Sequence, residues 1–391
     1  MPERSLGKKD FDIHRTLPRA GAVKPHSLKA RNTPLEKVAE ITPKEKVRGF
    51  SFKRSLASVI LIIFLFTLTI GIWDAVELSG ASKKMFGSGN LFSLLLGNDL
   101  KTDASGRVNI LLAGYSADDA GHSGANLTDS IMLLSLNQTK KTGYMLSIPR
   151  DLWVSIPGYG HAKINEAYQD GNWANFSEIG YPAGGMGLLE KVVSDNFGVP
   201  INYYSLINYS AFRDTVNAVG GITIDIKSSD PRGLYDPSLD YTSAACCALA
   251  NYPNGPVTLN GKQALNLARA RGDAYGSYGF GQADFDRTQH QRQMLLALKQ
   301  KSATVKTILN PTKSGHLFDG MANNVKTDVD IGAALPLYRL FNAVNAGSLQ
   351  SLSLRDLSGK NYLTDYGGAL IPAAGVSDFS AIQAAIQNLN Q

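Results

Sequence analysis

The run VNILLAG at residues 108–114 opens the folded part of the chain, and SIMLLSL at 130–136 and GYMLSI at 143–148 follow it. Each run is apolar along most of its length, which is typical of strands that are buried on both faces. The polar segment 137–142, between the second and third runs, has the character of a hairpin connection. These three runs predict the centre of a buried sheet.

Helical patterns surround these strands. Apolar residues recur at helical spacing in four segments: 186–197, 209–219, 283–301 and 331–344. Asn260 and Gln263 form a capping-box pattern that predicts one more helix start, and residues 222–226 alternate as a strand does. Because strands and helices are interspersed, the sequence predicts an α/β fold with a mixed central β-sheet flanked by helices.

The positive charge of the chain is confined to its N-terminal part. Residues 1–54 hold 14 of the 39 Lys and Arg residues and six acidic residues, whereas the remainder carries 25 basic and 27 acidic residues. This part is also polar and interrupted by proline, so we expect a disordered basic arm close to anionic lipid. The acidic balance of the remainder argues against a nucleic-acid-binding surface.

An uncharged stretch follows the arm. Residues 55–73 contain no charged side chain, and a helix of 19 residues is about long enough to cross a hydrocarbon core of roughly 30 Å. Lys53 and Arg54 precede it and Asp74 follows it, so the positive-inside rule places the N-terminus in the cytoplasm. The alternatives are a cleaved signal peptide and a buried core helix. A 54-residue leading region without a small-residue cleavage site disfavours the signal peptide.

The chain therefore divides into five predicted segments. They are a basic cytoplasmic tail (1–54), one transmembrane helix (55–73), an extracytoplasmic stalk (74–107), a catalytic domain (108–305) and a C-terminal extension packed on or flanking it (306–391). The adjacent Cys246 and Cys247 leave two interpretations open, free thiols or a vicinal disulfide. The serine-hydrolase elbow, the Walker loop and the zincin motif are absent from the sequence.

Arginine placement points to an anionic ligand. Arg150 follows a buried strand, Arg269 and Arg271 share a side if their stretch is extended, and Arg287 lies on one helix face with Asp284 and Gln291. Guanidinium groups bind phosphate oxygens bidentately, so converging arginines suit a phosphate or pyrophosphate ligand. The alternative is a set of surface salt bridges with neighbouring acids. Asp129, just before a buried strand, is a ligand for a hard cation, an exposed loop acid or a turn-capping residue.

Eight motifs in order resemble the LytR-CpsA-Psr family of membrane-anchored cell-wall glycopolymer transferases, over residues 108 to about 301. They read NILLAG (109–114), LTDSIML (127–133), LSIPRD (146–151), KIN (163–165), VNAVGG (216–221), LNGKQAL (259–265), RAR (269–271) and DFDR (284–287) with Gln291. Each is weak alone, but their order after one N-terminal anchor is specific.

The resemblance implies an Mg²⁺-assisted site and an apolar tunnel for a polyprenyl tail. Asp129 would then be a metal ligand, and a larger set would bind the pyrophosphate: Arg150, Arg269, Arg271, Arg287 and Gln291. Three positions depart from the family pattern. The usual acid after the first strand is replaced by Tyr115, Ser116 and Ala117, with Asp118 and Asp119 beyond; the usual arginines before the metal aspartate and before the glutamine are Leu127 and His290.

The resemblance thus predicts a phosphotransferase that moves a glycan phosphate from a polyprenyl-pyrophosphate carrier onto peptidoglycan. Arg150, Asp151 and Asp284 are the catalytic candidates, and either aspartate would orient or deprotonate the acceptor hydroxyl. Two alternatives remain open: a lipid-pyrophosphate hydrolase, and a non-catalytic polyprenyl-binding regulator. The expected location is the cell membrane, with one span and the catalytic domain outside the cytoplasm. If the arginines form a ligand site, their replacement by Ala should affect activity heavily and stability little.

Overall fold

The computed structural model describes residues 99–118, 124, 126–237, 249–302 and 324–390. Its strands are β1 (Arg107–Tyr115), β2 (Thr128–Asn137), β3 (Gly143–Ile148), β4 (Trp153–Ile156), β5 (Gly160–Lys163), β6 (Tyr203–Ile207), β7 (Ile222–Ile226), β8 (Leu234–Asp236), β9 (Ala250–Tyr252), β10 (Gly255–Leu259), β11 (Val325–Thr327), β12 (Leu349–Ser353), β13 (Leu363–Tyr366) and β14 (Ala369–Pro372). Its α-helices are α1 (Ala167–Trp173), α2 (Gly185–Phe197), α3 (Tyr209–Ala218), α4 (Gly261–Arg269), α5 (Asp284–Ser302), α6 (Ile331–Ala343) and α7 (Ser380–Asn390). The predicted transmembrane helix 55–73 lies outside the described residues.

Six strands form the central sheet in the order β11-β6-β1-β2-β3-β12. The three apolar runs found in the sequence become β1, β2 and β3, which pair antiparallel to one another. β6 pairs parallel to β1 and β12 parallel to β3, and β11 is antiparallel to β6. The sheet is therefore mixed, and the predicted α/β architecture is confirmed.

Both faces of this sheet are covered. Along β1, Leu111 and Ala113 belong to a core cluster shared with α1, α2 and α7, whereas Val108 and Ile110 belong to a cluster shared with α6. Alternate side chains of a strand point to opposite faces, so an apolar run without alternation requires apolar partners on both sides. A third cluster joins α3, α4 and α5 to the β7–β10 pair.

Helix ends follow the local sequence signals. The Asn260 side chain accepts a hydrogen bond from the Gln263 main chain, and the Gln263 side chain accepts one in return, so the capping box at the start of α4 is confirmed. Gly198 ends α2 with a left-handed backbone, φ 67°, which glycine adopts without steric cost.

The C-terminal region is part of the central sheet. β11 and β12 both come from the predicted extension 306–391, and they form the two edges of the sheet. The predicted boundary at residue 305 therefore does not separate the sheet from the C-terminal segment. Within the part of the chain that the structure describes, no helix combines the length and apolar character needed to cross a membrane.

Candidate pyrophosphate and cation site

The antiparallel pairing of β2 and β3 brings two of the predicted site residues together. Ile131 pairs with Ile148, so the start of β2 and the end of β3 lie at the same edge of the sheet. Asp129 stands near the start of β2, and Arg150 follows the end of β3. The Arg150 Nη1 lies 2.9 Å from the Asp129 Oδ1 and donates a hydrogen bond to it.

Arg150 is the centre of a cluster of three carboxylates. Besides Asp129, its Nε lies 3.5 Å from the Asp284 Oδ1 and 3.6 Å from the Asp151 Oδ2. The charges of Asp129, Asp284 and Asp151 keep the pKa of Arg150 above its usual value although burial opposes this. The structure thus joins the sheet edge to the first turn of α5 through one guanidinium group.

Arg287 is a second, more deeply buried cation in the same place. Its side chain rises from α5 and is only 5% exposed, with Nη2 2.8 Å from the Asp284 Oδ1 and 2.9 Å from the main-chain oxygen of Asp129. Burial lowers the pKa of Arg287, and the Asp284 carboxylate opposes that effect. Since arginine keeps its proton over the physiological pH range, this is a fixed positive charge.

The arginines also determine the charge of Asp129. Burial raises the pKa of the Asp129 carboxyl, but the charge and hydrogen bond of Arg150, with smaller effects of Arg287 and Asn165, leave it below the ordinary value. Asp129 is therefore a carboxylate at neutral pH.

Several buried polar atoms of this cluster lack a hydrogen bond of normal geometry among the described residues. They are the Arg150 Nε, the Asn165 Oδ1, the Asp284 Oδ1 and the Arg287 Nε. The Asp284 Oδ1 is close enough to both guanidinium groups for ion pairing, yet it is not oriented for a hydrogen bond. Buried polar groups are nearly always satisfied, so such a concentration indicates a site prepared for a polar ligand.

Asp151, the third carboxylate around Arg150, also forms an ion pair with Lys163. Its Oδ1 is 2.6 Å from the Nζ of Lys163, which ends β5. Lys163 and Asn165 are the two polar residues of the KIN motif, and both lie at this edge of the site.

Arg269 and Arg271 lie at the C-terminal end of α4 and have different neighbours. Arg269 is the last helical residue and Ala270 is extended, with φ −64° and ψ 131°. Burial and, as a smaller effect, the charge of Arg271 lower the pKa of Arg287. The Arg269 guanidinium lies 5.0 Å from the ring centre of Tyr209. The Arg271 Nη1 is 3.7 Å from the Asp273 Oδ2.

Gln291 links three elements rather than pointing only to a ligand. Its Oε1 accepts a hydrogen bond from the Ser130 hydroxyl at 2.9 Å, and its Nε2 donates to the main-chain oxygen of Ala268 at 3.0 Å. It thereby fixes the distance between β2, α4 and α5, and one amide N–H remains for other contacts.

The positions that depart from the family pattern have distinct environments. His290 is buried, and burial lowers its pKa to about 4, so it supplies no positive charge at neutral pH. Both carboxylate oxygens of Asp118 accept hydrogen bonds from main-chain N–H groups of Tyr209 and Ser210 at the start of α3. Asp119 lies outside the described residues.

The oxygen donors of the cluster suit a hard divalent cation. Asp129 and Asp284 supply carboxylates, and Asn165 supplies an amide oxygen that has no hydrogen-bond partner within the described part of the chain. Among the described residues, no group of three or more His, Cys, Asp and Glu side chains is arranged to hold a metal ion. Mg²⁺ is commonly bound through one or two carboxylates together with phosphate oxygens, so this small donor set fits it.

Asp236 is a residue that supports the candidate site and that sequence reasoning did not identify. Its fully buried carboxylate accepts hydrogen bonds from the main-chain N–H groups of Arg271 and Gly272, both at 2.9 Å. It therefore fixes the turn that carries Arg271. The two partners are 35 and 36 residues away along the chain, and no local pattern indicates such a contact.

Comparison with known proteins identifies the family of this chain. The LytR_cpsA_psr family model matches residues 79–370. The chain belongs to this family. The LytR-CpsA-Psr resemblance of the eight sequence motifs is confirmed.

Two relatives carry transferase names. The chain is 32% identical over 253 residues to the polyisoprenyl-teichoic acid–peptidoglycan teichoic acid transferase TagU of Oceanobacillus iheyensis, covering 64% of this chain and 67% of that protein. It is 26% identical over 329 residues to the transferase TagT of Bacillus subtilis, covering 82% and 89%. A third relative, the regulatory protein MsrR of Staphylococcus aureus, is 27% identical over 220 residues, 56% of each chain.

Solved structures share the fold. TagT bound to LIIa-WTA aligns with a TM-score of 0.51 at 24% identity, covering 74% of this chain and 94% of that one. The TagV structure from B. subtilis aligns with a TM-score of 0.50 at 24% identity, covering 73% and 98%. This LytR-CpsA-Psr chain therefore has the architecture of these proteins.

Proposed function

We propose that this protein is a phosphotransferase that moves a glycan phosphate from a polyprenyl-pyrophosphate carrier onto peptidoglycan. The observation that supports it best is the Arg150–Arg287 pair, whose guanidinium groups both lie against Asp284 among buried polar atoms that find no hydrogen-bond partner in the described residues. Fixed guanidinium groups in a poorly solvated site stabilise the charge that develops on a transferring phosphoryl group. The names of TagU and TagT, which are teichoic acid transferases, support the same reaction.

The reaction needs positioning, charge neutralisation and one proton acceptor. Arg150, Arg271 and Arg287 would hold the pyrophosphate oxygens. The acceptor hydroxyl oxygen forms a bond to the glycan-proximal phosphorus, and the phosphoanhydride bond breaks to release polyprenyl phosphate. The hydroxyl proton passes to Asp151 or Asp284, both of which contact Arg150. A bound Mg²⁺, held by Asp129, would supply further neutralisation of the phosphate charge.

A defined assay tests the reaction. Full-length protein is mixed with a polyprenyl-pyrophosphate-linked glycan and peptidoglycan, and the products are separated by mass. We expect equal amounts of released polyprenyl phosphate and of glycan joined to peptidoglycan through a phosphodiester. Free glycan phosphate without attachment would instead identify a hydrolase, and lipid binding without turnover would identify a regulator.

Topology gives a second prediction, because the reaction requires the site to lie outside the cytoplasm. In a Cys246→Ser, Cys247→Ser background, Gln387→Cys on the exposed side of α7 should react with a membrane-impermeant thiol reagent in intact cells. Ser27→Cys, in the predicted cytoplasmic tail, is the matched control and should react only after permeabilisation. Equal protection of both cysteines would contradict the proposed orientation.

A further inference from the structure

Asn165 has a fixed backbone beside Asp129, yet its side-chain amide oxygen forms no hydrogen bond with the described residues. It lies in the 3₁₀ turn Ile164–Glu166 and is 5% exposed. Its main-chain N–H donates to the oxygen of Arg150 at 3.3 Å, and its main-chain oxygen accepts from the Thr128 hydroxyl at 3.3 Å. Arg150 is the centre of the cluster and Thr128 precedes Asp129, so these two hydrogen bonds fix the backbone of Asn165 relative to the cluster.

The amide itself makes one weak contact. The Asn165 Nδ2 lies 3.3 Å from the Asp129 Oδ1, at the long end of the hydrogen-bond range, and the Oδ1 is buried without a hydrogen-bond partner among the described residues. A buried amide oxygen of this kind requires an explanation, because leaving it unsatisfied is unfavourable.

Rotation of the amide by half a turn exchanges its oxygen and nitrogen. The Asn165 Oδ1 would then occupy the present nitrogen position, 3.3 Å from the Asp129 Oδ1. Two adjacent oxygen ligands of an octahedral Mg²⁺, each about 2.1 Å from the ion, are separated by about 3 Å. The spacing of these two groups therefore matches that of two ligands of one small cation.

We propose that the Asn165 amide oxygen is a protein ligand of the divalent cation, together with the Asp129 carboxylate. This inference rests on the proposed function, which requires a cation beside the pyrophosphate. The carboxylate of Asp118 already accepts two main-chain hydrogen bonds at α3, whereas the amide of Asn165 loses only a weak contact when it turns. The amide nitrogen donates to Asp129 in the orientation described above, and the turned amide would present its oxygen at the same position.

The proposal is tested by titrating the full-length protein with Mn²⁺, a paramagnetic cation that also prefers oxygen ligands, and following free Mn²⁺ by electron paramagnetic resonance without donor lipid. Asn165→Leu keeps the approximate volume and removes the oxygen. We expect its dissociation constant for Mn²⁺ to rise by about tenfold or more, in the range that loss of supporting metal contacts produces. Asn196→Leu, a buried amide on α2 whose Nδ2 donates to the Val192 oxygen, is the control and should bind Mn²⁺ as the wild type does.

Asn165→Asp provides a second variant should Asn165→Leu fold poorly. A carboxylate beside Asp129 is repulsive without a cation and favourable with one, so Mn²⁺ should raise its melting temperature more than that of the wild type. Wild-type Mn²⁺ affinity in Asn165→Leu, together with loss of binding in Asp129→Ala, would overturn the role of Asn165 and leave the proposed cation site in place. Absence of Mn²⁺ binding in the wild-type protein would overturn both.

Discussion

Arg271→Ala is expected to lower glycan transfer by about ten- to a hundredfold while changing the free energy of unfolding by less than about 1 kcal/mol. Its side chain is 35% exposed, and its ion pair with Asp273 spans 3.7 Å. Such a partly exposed pair contributes little to stability. A charge-assisted hydrogen bond to a phosphoryl oxygen in the transition state is worth about 1.5–3 kcal/mol, which gives the expected range of rates.

Two further variants make this prediction specific. Arg271→Lys should recover only part of the rate, because an ammonium group cannot form the two parallel hydrogen bonds of a guanidinium group. Arg213→Ala removes an exposed arginine paired with Asp214 on α3 and should transfer glycan at the wild-type rate. Near wild-type transfer by Arg271→Ala would place the pyrophosphate elsewhere.

Arg287 differs from Arg271 in a way that the sequence did not indicate. From the sequence, replacement of any site arginine is expected to affect activity and spare stability. Arg287 is nearly fully buried against Asp284 and the main-chain oxygen of Asp129, so Arg287→Ala would leave the Asp284 carboxylate, whose side chain is 20% exposed, without its closest cation. Breaking a fully buried pair is destabilising by about 3–5 kcal/mol. This range is an upper limit for Arg287→Ala, because Asp284 is partly exposed and also lies near Arg150. For Arg287, therefore, loss of activity alone does not separate binding from folding.

Local patterns were sufficient for the centre of the fold and for the helix ends. The apolar runs at 108–114, 130–136 and 143–148 require burial on both faces, and the capping box at Asn260 requires only contacts three residues apart. The edge strands were not predictable in the same way. β11 has three residues, and the pairing of β12 with β3 joins segments about 200 residues apart, so no local period signals either.

In the candidate site, too, the identity of the residues was predictable from the sequence, whereas their long-range contacts were not. Side-chain chemistry selected Asp129, Arg150, Asp284 and Arg287, and the pairing of β2 with β3 brings the first two together. The sequence could not show which hydrogen bonds these side chains and their neighbours form within the protein. Gln291 is engaged by Ser130 and Ala268, and the Arg271 turn is held by Asp236, through contacts that depend on the tertiary fold alone.

The second large effect concerns Glu190, a carboxyl group of α2 that lies outside the proposed site. It is 4% exposed, and its Oε1 has no hydrogen-bond partner among the described residues. Burial raises the pKa of Glu190 to about 8, the charge of Asp328 adds to this shift, and that of Lys101 opposes it. The folded protein therefore keeps this proton at neutral pH, and the unfolded chain releases it.

The sign of the pH dependence is set by proton binding. Between the unfolded pKa near 4.5 and the folded value near 8, the unfolded state binds fewer protons, so the contribution of Glu190 to stability falls as the pH rises. Below pH 4.5 the group is protonated in both states and costs nothing. Above pH 8 the full cost is present, and the shift in pKa corresponds to an upper value of about 5 kcal/mol.

Glu190→Gln should therefore stabilise the protein increasingly as the pH rises. The amide has nearly the same shape and no charge, so we expect equal free energies of unfolding near pH 4 and an advantage for the variant of several kcal/mol, up to about 5, at about pH 9. Urea unfolding of wild type and variant at each pH measures the difference, in which the titration of all other groups cancels to first order. Glu178→Gln, which removes an exposed carboxylate paired with Lys191, is the matched control and should show a difference below about 1 kcal/mol at every pH. A constant difference between Glu190→Gln and wild type across this pH range would mean that Glu190 is ionised in the folded protein, and that its charge is balanced by a group in α2 or its surroundings.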